Sequence, residues 1–246
     1  MGTLRPWLPG LAGAFFAGLL AAPEIARGES RHLTMLGIPS ATVAPHGTGF
    51  LTLQYGSERP GPGTGADASL TFGVGFGDAD ETIGVQLSAE ITSMTDDFAD
   101  SGYLGLNFSR RISAGATPVY LGVGVWRLGA WGDAGGLDPA FDLSLSFFPT
   151  INTRNGPAPL MVTLGAGTDV RANDTEPGVF AGVGYGFSEE FGASAAWYGD
   201  HATIGVSYAP RNLRNVRFSA ALVDVTNETG DRRAVAGVTL IFPKMY

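Results

Sequence analysis

Residues Glu81 to Ser93 read ETIGVQLSAEITS. Ile83, Val85, Leu87, Ala89 and Ile91 fall on one parity, and Thr82, Gly84, Gln86, Ser88, Glu90 and Thr92 on the other. A repeat of two belongs to the β-strand, whose successive side chains point to opposite faces. This stretch is a strand with one greasy face and one polar or tiny face.

The same alternation recurs to the C-terminus in about twelve segments, separated by the turn residues that end strands. They run approximately Gly49–Tyr55, Ala68–Gly77, Glu81–Ser93, Tyr103–Ile112, Pro118–Leu128, Ala140–Phe148, Pro159–Asp169, Gly178–Ser188, Phe191–Tyr198, Ala202–Tyr208, Val216–Asp224 and Ala234–Phe242. Most come near the roughly 9 to 11 residues that a tilted strand needs to cross a bilayer. Charged residues make up 15% of the chain, glycine is abundant at 37 residues, and cysteine is absent. A soluble domain normally carries about 25% charge. No run after residue 30 approaches the roughly 20 apolar residues of a spanning helix. Only closure of the sheet then pairs every backbone amide in lipid. The expected fold is all-β: a closed, antiparallel, up-and-down transmembrane barrel of about twelve strands.

Residues 1–28 read as a signal peptide. Arg5 precedes an apolar run from Trp7 to Ala22, and Ala26-Arg27-Gly28 offers small residues at the positions a signal peptidase reads. Cleavage after Gly28 is the first choice and after Ala22 the second; the run is short for a retained anchor. Removing that segment leaves 13 basic and 22 acidic side chains by subtraction from 15 and 23, a net charge of −9. That balance argues against nucleic acid as a partner. Without cysteine there are no disulfides, zinc–thiolate sites or thiol nucleophiles. Residues 29–47 hold two prolines and no sustained alternation, so they form an irregular lead-in that lies under the barrel or enters it as a small plug. Residues 48–246 are the barrel.

A periplasmic N-terminus makes the odd connections face outward, where longer loops are expected. Residues 56–67, 94–102 and 129–139 obey this. The sixth link, Thr150 to Ala158, is long for a periplasmic turn, and the ninth, Gly199-Asp200-His201, is short for an outer loop. Aromatic girdles on the lipid face are a second expectation. Phe76, Phe147, Phe187, Phe191, Tyr208, Phe218 and Phe242 share the apolar parity of their strands near the periplasmic ends; Tyr55, Phe141 and Trp197 do so at the outer ends.

These features resemble the outer-membrane β-barrel proteins of Gram-negative bacteria, porin-like members included. The resemblance spans Gly49 to Tyr246 and implies an outer-membrane location, contact with its lipids and lipopolysaccharide, and recognition of the C-terminal strand by the barrel-assembly machinery. In that strand Val238, Leu240 and Phe242 keep the alternation, whereas Lys244 departs from it, leaving Phe242 and Tyr246 as rival terminal aromatics. A fainter similarity joins Gly37-Ile38-Pro39-Ser40-Ala41 and Ala44-Pro45-His46-Gly47 to the lead-in of exopolysaccharide-associated barrels.

The inward parity is dominated by Gly, Ser and Thr, which serve equally as curvature and packing relief or as the wall of a water-filled pore. Larger polar groups on that parity are Gln86, Glu90, Asn107, Arg111, Asp142, Asp169 and Arg217. Glu90, Asp142 and Asp169 lie toward the outer mouth, Arg111 and Arg217 toward the periplasm. Such charges set ion preference in a narrow pore, so the first functional reading is passive diffusion of small solutes through a channel with an acidic outer mouth. The alternatives are a non-conducting structural or display barrel, and a barrel-embedded hydrolase using His201 at the outer rim with Ser57 or Ser101, or Asp200-His201 opposite Asp96-Asp97. Adjacent strand residues point to opposite faces, which counts against the paired arrangement. No enzyme, cofactor or metal site is expected from these residues.

Overall fold

The sequence becomes thirteen strands in the computed structural model, which describes residues 32–58, 65–92, 94, 98–154, 156–172 and 174–246. The signal segment lies outside the described residues. The strands are β1 Gly49–Gly56, β2 Asp67–Gly77, β3 Gly84–Ile91, β4 Gly102–Arg111, β5 Val119–Trp131, β6 Ala140–Phe147, β7 Thr150–Thr153, β8 Gly156–Arg171, β9 Glu176–Gly186, β10 Phe191–Tyr198, β11 His201–Tyr208, β12 Val216–Val223 and β13 Arg233–Phe242. Each strand of the wall pairs antiparallel with its sequence neighbours. The pairing of β1 with β13 and of β6 with β8 closes the ring, so β7 stands outside a wall of twelve.

β7 explains the long sixth link. It folds back on the start of β8, with Thr150 opposite Pro159 and Gly156 at φ +96°. The sequence at this reversal contains Asn155-Gly156. Asn-Gly is the dipeptide that tight hairpins favour, because positive φ costs glycine little. The link is thus a two-stranded extension at the end of the barrel where β1 starts and β13 ends, the periplasmic end in the expected topology. The ninth link is short because Gly199, at φ +58°, turns the chain directly from β10 into β11. β3 is shorter than the alternation suggests: Thr82 donates its N–H to the Asp78 carbonyl, which keeps Glu81 to Ile83 in a turn.

The wall is greasy outside. Leu87 is 44% exposed, and Leu53, Phe72, Leu143, Val183 and Ile204 are comparable. In a water-soluble molecule such a belt would have to be covered. All ten anticipated girdle aromatics sit on wall strands or, for Phe187, at the end of one, and eight of them are exposed, with Phe147 and Tyr208 half-buried. Phe187, Phe191, Tyr208 and Phe218 stack in a ladder around the periplasmic rim, at centroid separations of 6.1, 4.6 and 6.3 Å. Phe242 ends β13 opposite Gly49. The chain then leaves the strand, with Lys244 at φ +61°. Lys244 therefore occupies no strand position, which removes the apparent break in alternation. Tyr246 tucks under the barrel, donating its hydroxyl to the Gly75 carbonyl at 2.6 Å and stacking on Phe76.

At the outer end, the connection after β12 is organised by Asp224, which is fully buried. Its carboxylate accepts N–H bonds from Glu228, Thr229 and Asp231 and the Thr229 hydroxyl. Burial by itself raises this carboxyl, but those bonds outweigh it and hold it below the usual carboxylate range. A depressed folded pKa contributes stability above the unfolded value and loses it as pH falls through the folded one. Asp224→Ala is expected to cost the loop about 1.5–3 kcal/mol. The check is limited proteolysis within residues 225–231. Cleavage should accelerate in the variant at pH 7, and in the parent protein only below about pH 4.

Candidate functional site

The lumen is occupied by the chain's own lead-in. Residues 32–47 enter from the periplasmic rim, rise through the barrel and return to the base of β1. The first arm starts where His32 donates its N–H to the Ser188 carbonyl, in the turn between β9 and β10, and it follows the wall of β9 to β12. Its Leu36 N–H bonds the Ser194 hydroxyl at 3.1 Å. The apex lies between Gly37, packed on Thr203, and Pro39, which lines a cavity under the outer mouth. The second arm descends along the opposite wall. Ala41 donates to Ser146 Oγ and accepts from Ser109 Oγ, Ala44 donates to Gln86 Oε1 at 2.9 Å, and Gly47 donates to the Gly75 carbonyl.

Glycines of the wall supply the seat for both arms. A Cβ on Gly75 would stand 2.0 Å from the Ala44 carbonyl oxygen, on Gly184 2.1 Å from that of Thr34, and on Gly122 2.5 Å from Ala41 Cα. Heavy atoms cannot approach so closely, so the inward glycines are cut to fit the lead-in. Leu33, Met35, Leu36, Ile38 and Val43 of the lead-in are all buried, several of them against inward Tyr120, Phe148, Met161 and Phe180. Each such side chain contributes about 1.5–3 kcal/mol on leaving water. The lumen is a packed core at mid-height.

Above the apex the lining turns polar. Pro39, Trp126, Arg127, Asp142, Asp169, Asp174 and Tyr198 surround a cavity of 40 Å³, room for a few waters. Asp142 accepts the Trp126 indole N–H, Asp169 is ion-paired to Arg127, and the Tyr198 hydroxyl donates to the Asp169 carbonyl. Asp174, in the loop after β8, has its carboxyl pushed up to about 7 by burial, with Arg127 pulling it down and Asp169 adding to the rise. Deeper in the wall, Glu90 is 2% exposed and bonded to Tyr103 on the facing strand.

The anticipated lumen residues therefore separate into groups. Asp142 and Asp169 share the outer cavity. Gln86 holds the plug, Glu90 is buried beside Tyr103, and Asn107 faces Gly124 next to Asp142. Arg111 sits at the periplasmic rim, donating to the Gly115 carbonyl and lying 3.7 Å from Asp80. Arg217 faces His32, whose imidazole is pushed down to about 4 by burial and by that guanidinium, so it is neutral at pH 7. Tyr103, Trp126 and Tyr198 also line the interior on inward parity, a signal present in the sequence but unused. Arg127 has no such signal. Register shifts between β4 and β5, with Arg127 at φ +60°, form a bulge that swings a side chain of nominally outward parity into the lumen.

Of the hydrolase candidates, His201 opens β11 with its ring 6.0 Å from that of Tyr198, and the hydroxyls and the Asp200 carboxylate have backbone partners. Ser57 and Ser101 accept backbone N–H bonds from Ala234 and Ala134, and Asp200 accepts that of Ala172. Asp96 and Asp97 lie outside the described residues. Among the described residues no group of three or more His, Asp or Glu is placed to hold a metal.

A greasy exterior, a closed antiparallel meander and a polar interior have counterparts among solved structures. The KdgM porin, in complex with disordered oligogalacturonate, superposes with a TM-score of 0.50 at 10% identity, over 79% of this chain and 99% of that one. This chain has the fold of an outer-membrane β-barrel. An outer membrane channel from Pseudomonas putida F1 superposes at TM-score 0.47 and 11% identity, over 89% and 100% of the two chains. An Acinetobacter baumannii outer membrane protein does so at 0.48 and 10%, over 79% and 98%. At such identities the likeness concerns the fold. No protein-family model matches the barrel, and no curated protein does.

Proposed function

We propose that the protein is an outer-membrane channel closed at rest by residues 32–47, which passes small solutes, cations favoured, when that segment leaves its seat. The observation that carries this reading is the glycine-lined seat. A barrel meant only as a solid anchor can fill its lumen with wall side chains, whereas this wall is hollowed to receive a separable segment. The excess of carboxylates over guanidinium groups around the outer cavity favours cations. The apolar belt and girdles suit outer-membrane lipid with lipopolysaccharide outside, after export, removal of residues 1–28 and insertion through the C-terminal strand. No chemical step is assigned to the barrel, since the candidate nucleophiles of the outer rim are engaged with backbone.

Planar-bilayer recording tests the reading. The intact chain is expected to be silent for most of the record, with brief openings, and deletion of residues 32–47 to give a lasting conductance with cation preference in a salt gradient. A variant that folds, shown by its shifted mobility on unheated gels, yet stays silent would sink it. That outcome favours the second reading, a non-conducting structural barrel, for which the apolar packing of Leu33, Met35 and Ile38 speaks.

A further inference from the structure

Resting on that reading, we infer that the two arms of the plug are unequal: the channel opens by withdrawal of residues 32–37 toward the periplasm, along the wall of β9 to β12, while residues 41–47 stay in place.

Three observations converge on the first arm. Among the described residues its hydrogen bonding is sparse, consisting of His32 N–H to Ser188 and Leu36 N–H to Ser194. The second arm is tied at Ala41 by two bonds, at Ala44 by one, at His46 through Gly77, and at Gly47 by Gly75, by Met245 and by the Tyr246 hydroxyl. Next, buried polar atoms without a partner among the described residues gather along the first arm. They are His32 Nε2 and Thr34 Oγ1 of the plug and Thr203 Oγ1 and Ser207 Oγ of the wall, whereas the second arm itself carries none and has only Ser144 Oγ and Arg111 Nε on its side of the wall. An unpaired buried group costs about 1–3 kcal/mol, and withdrawal returns it to water. Finally, the second arm runs directly into β1 through Gly47 and Thr48, so the wall itself pins it. The apolar side chains Leu33, Met35 and Leu36 oppose withdrawal and make it infrequent.

Withdrawal would leave a trough lined by Gly182, Gly184, Gly192, Ser194, Gly205 and Ser207. It leads from Arg217 at the periplasmic side to the carboxylates under the outer mouth. Small and hydroxyl-bearing residues of this kind give hydrated solutes a polar track beside the apolar Met161 and Phe180 of the same wall.

The absence of cysteine allows a direct test on the full-length protein. Met35 and Ala41 are both 1% exposed. Single variants Met35→Cys and Ala41→Cys, reconstituted in vesicles, are treated with a charged methanethiosulfonate reagent. Position 35 is expected to react at least about tenfold faster, the ratio given by a difference of about 1.4 kcal/mol in opening free energy. Equal rates, or a faster Ala41→Cys, would overturn the inference.

Disulfide staples provide the second readout: Leu36→Cys with Ser194→Cys for the first arm, Ala41→Cys with Ser146→Cys for the second. The first staple should abolish spontaneous openings until reduced, and the second should leave them. The reverse pattern overturns the assignment of the moving arm and leaves the channel reading standing. Silence after deletion of residues 32–47 removes the channel reading itself.

Discussion

Gly184→Val is expected to open the barrel far more often without weakening its wall. The backbone of β9 at this position is ordinary strand, and valine is a better strand former than glycine. The added Cβ, however, would stand 2.1 Å from the Thr34 carbonyl oxygen of the plug. A flexible side chain could turn aside, but a backbone oxygen can move only with its segment. Overpacking of this kind typically costs about 1–3 kcal/mol, enough to raise the open population by roughly 5- to 150-fold. Bilayer recording should show longer and more frequent openings, and protease should cut residues 32–37 faster. Gly115→Val is the control, because a Cβ there meets nothing within 4 Å. Were Gly184→Val as silent as the parent while folding normally, the plug would not be what closes the lumen.

Arg127→Met, placed in the Gly184→Val background so that current can be read, should have the next largest effect. The guanidinium pairs with Asp169 and opposes the rise of the Asp174 carboxyl. Both members of the Arg127–Asp169 pair are largely buried, and removing one partner of such a pair costs about 3–5 kcal/mol. The protein can escape part of that cost by protonating a carboxylate. The direction of the shift sets the sign: Asp174 carries its charge above its folded pKa, near 7, and is neutral below it. Losing Arg127 moves that midpoint up. At pH 9 the variant should be more cation-selective than its parent, because carboxylates stand there without their counter-charge. At pH 6 the gap should narrow as Asp174 takes up a proton. Reversal potentials in a KCl gradient at the two pH values measure this. An unchanged or anion-shifted value at pH 9 would mean that solutes do not pass through the outer cavity.

Strand identity was legible in the sequence because two constraints dominate β-structure in a membrane. Lipid demands grease on one parity, and the interior takes mostly small and polar residues, with a few large apolar ones, on the other. Phe191–Tyr198 was therefore readable to the residue, and the anticipated girdle aromatics lie along or at the end of wall strands. Readings weakened wherever the chain left that two-sided environment. Glu81 to Ile83 continues the alternation yet lies in a turn held by Asp78, because backbone bonding outranks parity at a strand end. Thr150 to Ala158 looked too long for its side because a hairpin outside the wall carries no alternation against lipid.

The candidate site divides along the same line. Asp142 and Asp169 were found by parity alone, and parity also marks Trp126 and Tyr198. Arg127 was invisible, since a bulge inserts one residue and reverses the facing of its successors, and nothing in the local composition announces it.

The chain alone specifies the wall: its strands, their two faces and its closure. Each of these comes from interactions between a residue and its solvent, which a chain carries with it wherever it folds. The contents of the wall are settled by packing in three dimensions. Small inward residues are compatible with water and with a second chain alike, and the choice depends on whether residues far apart in sequence, such as Thr34 and Gly184 or Ala44 and Gly75, meet at van der Waals distance. That meeting is a property of pairs separated by up to 150 positions. No periodicity records it, and it is what fills the lumen.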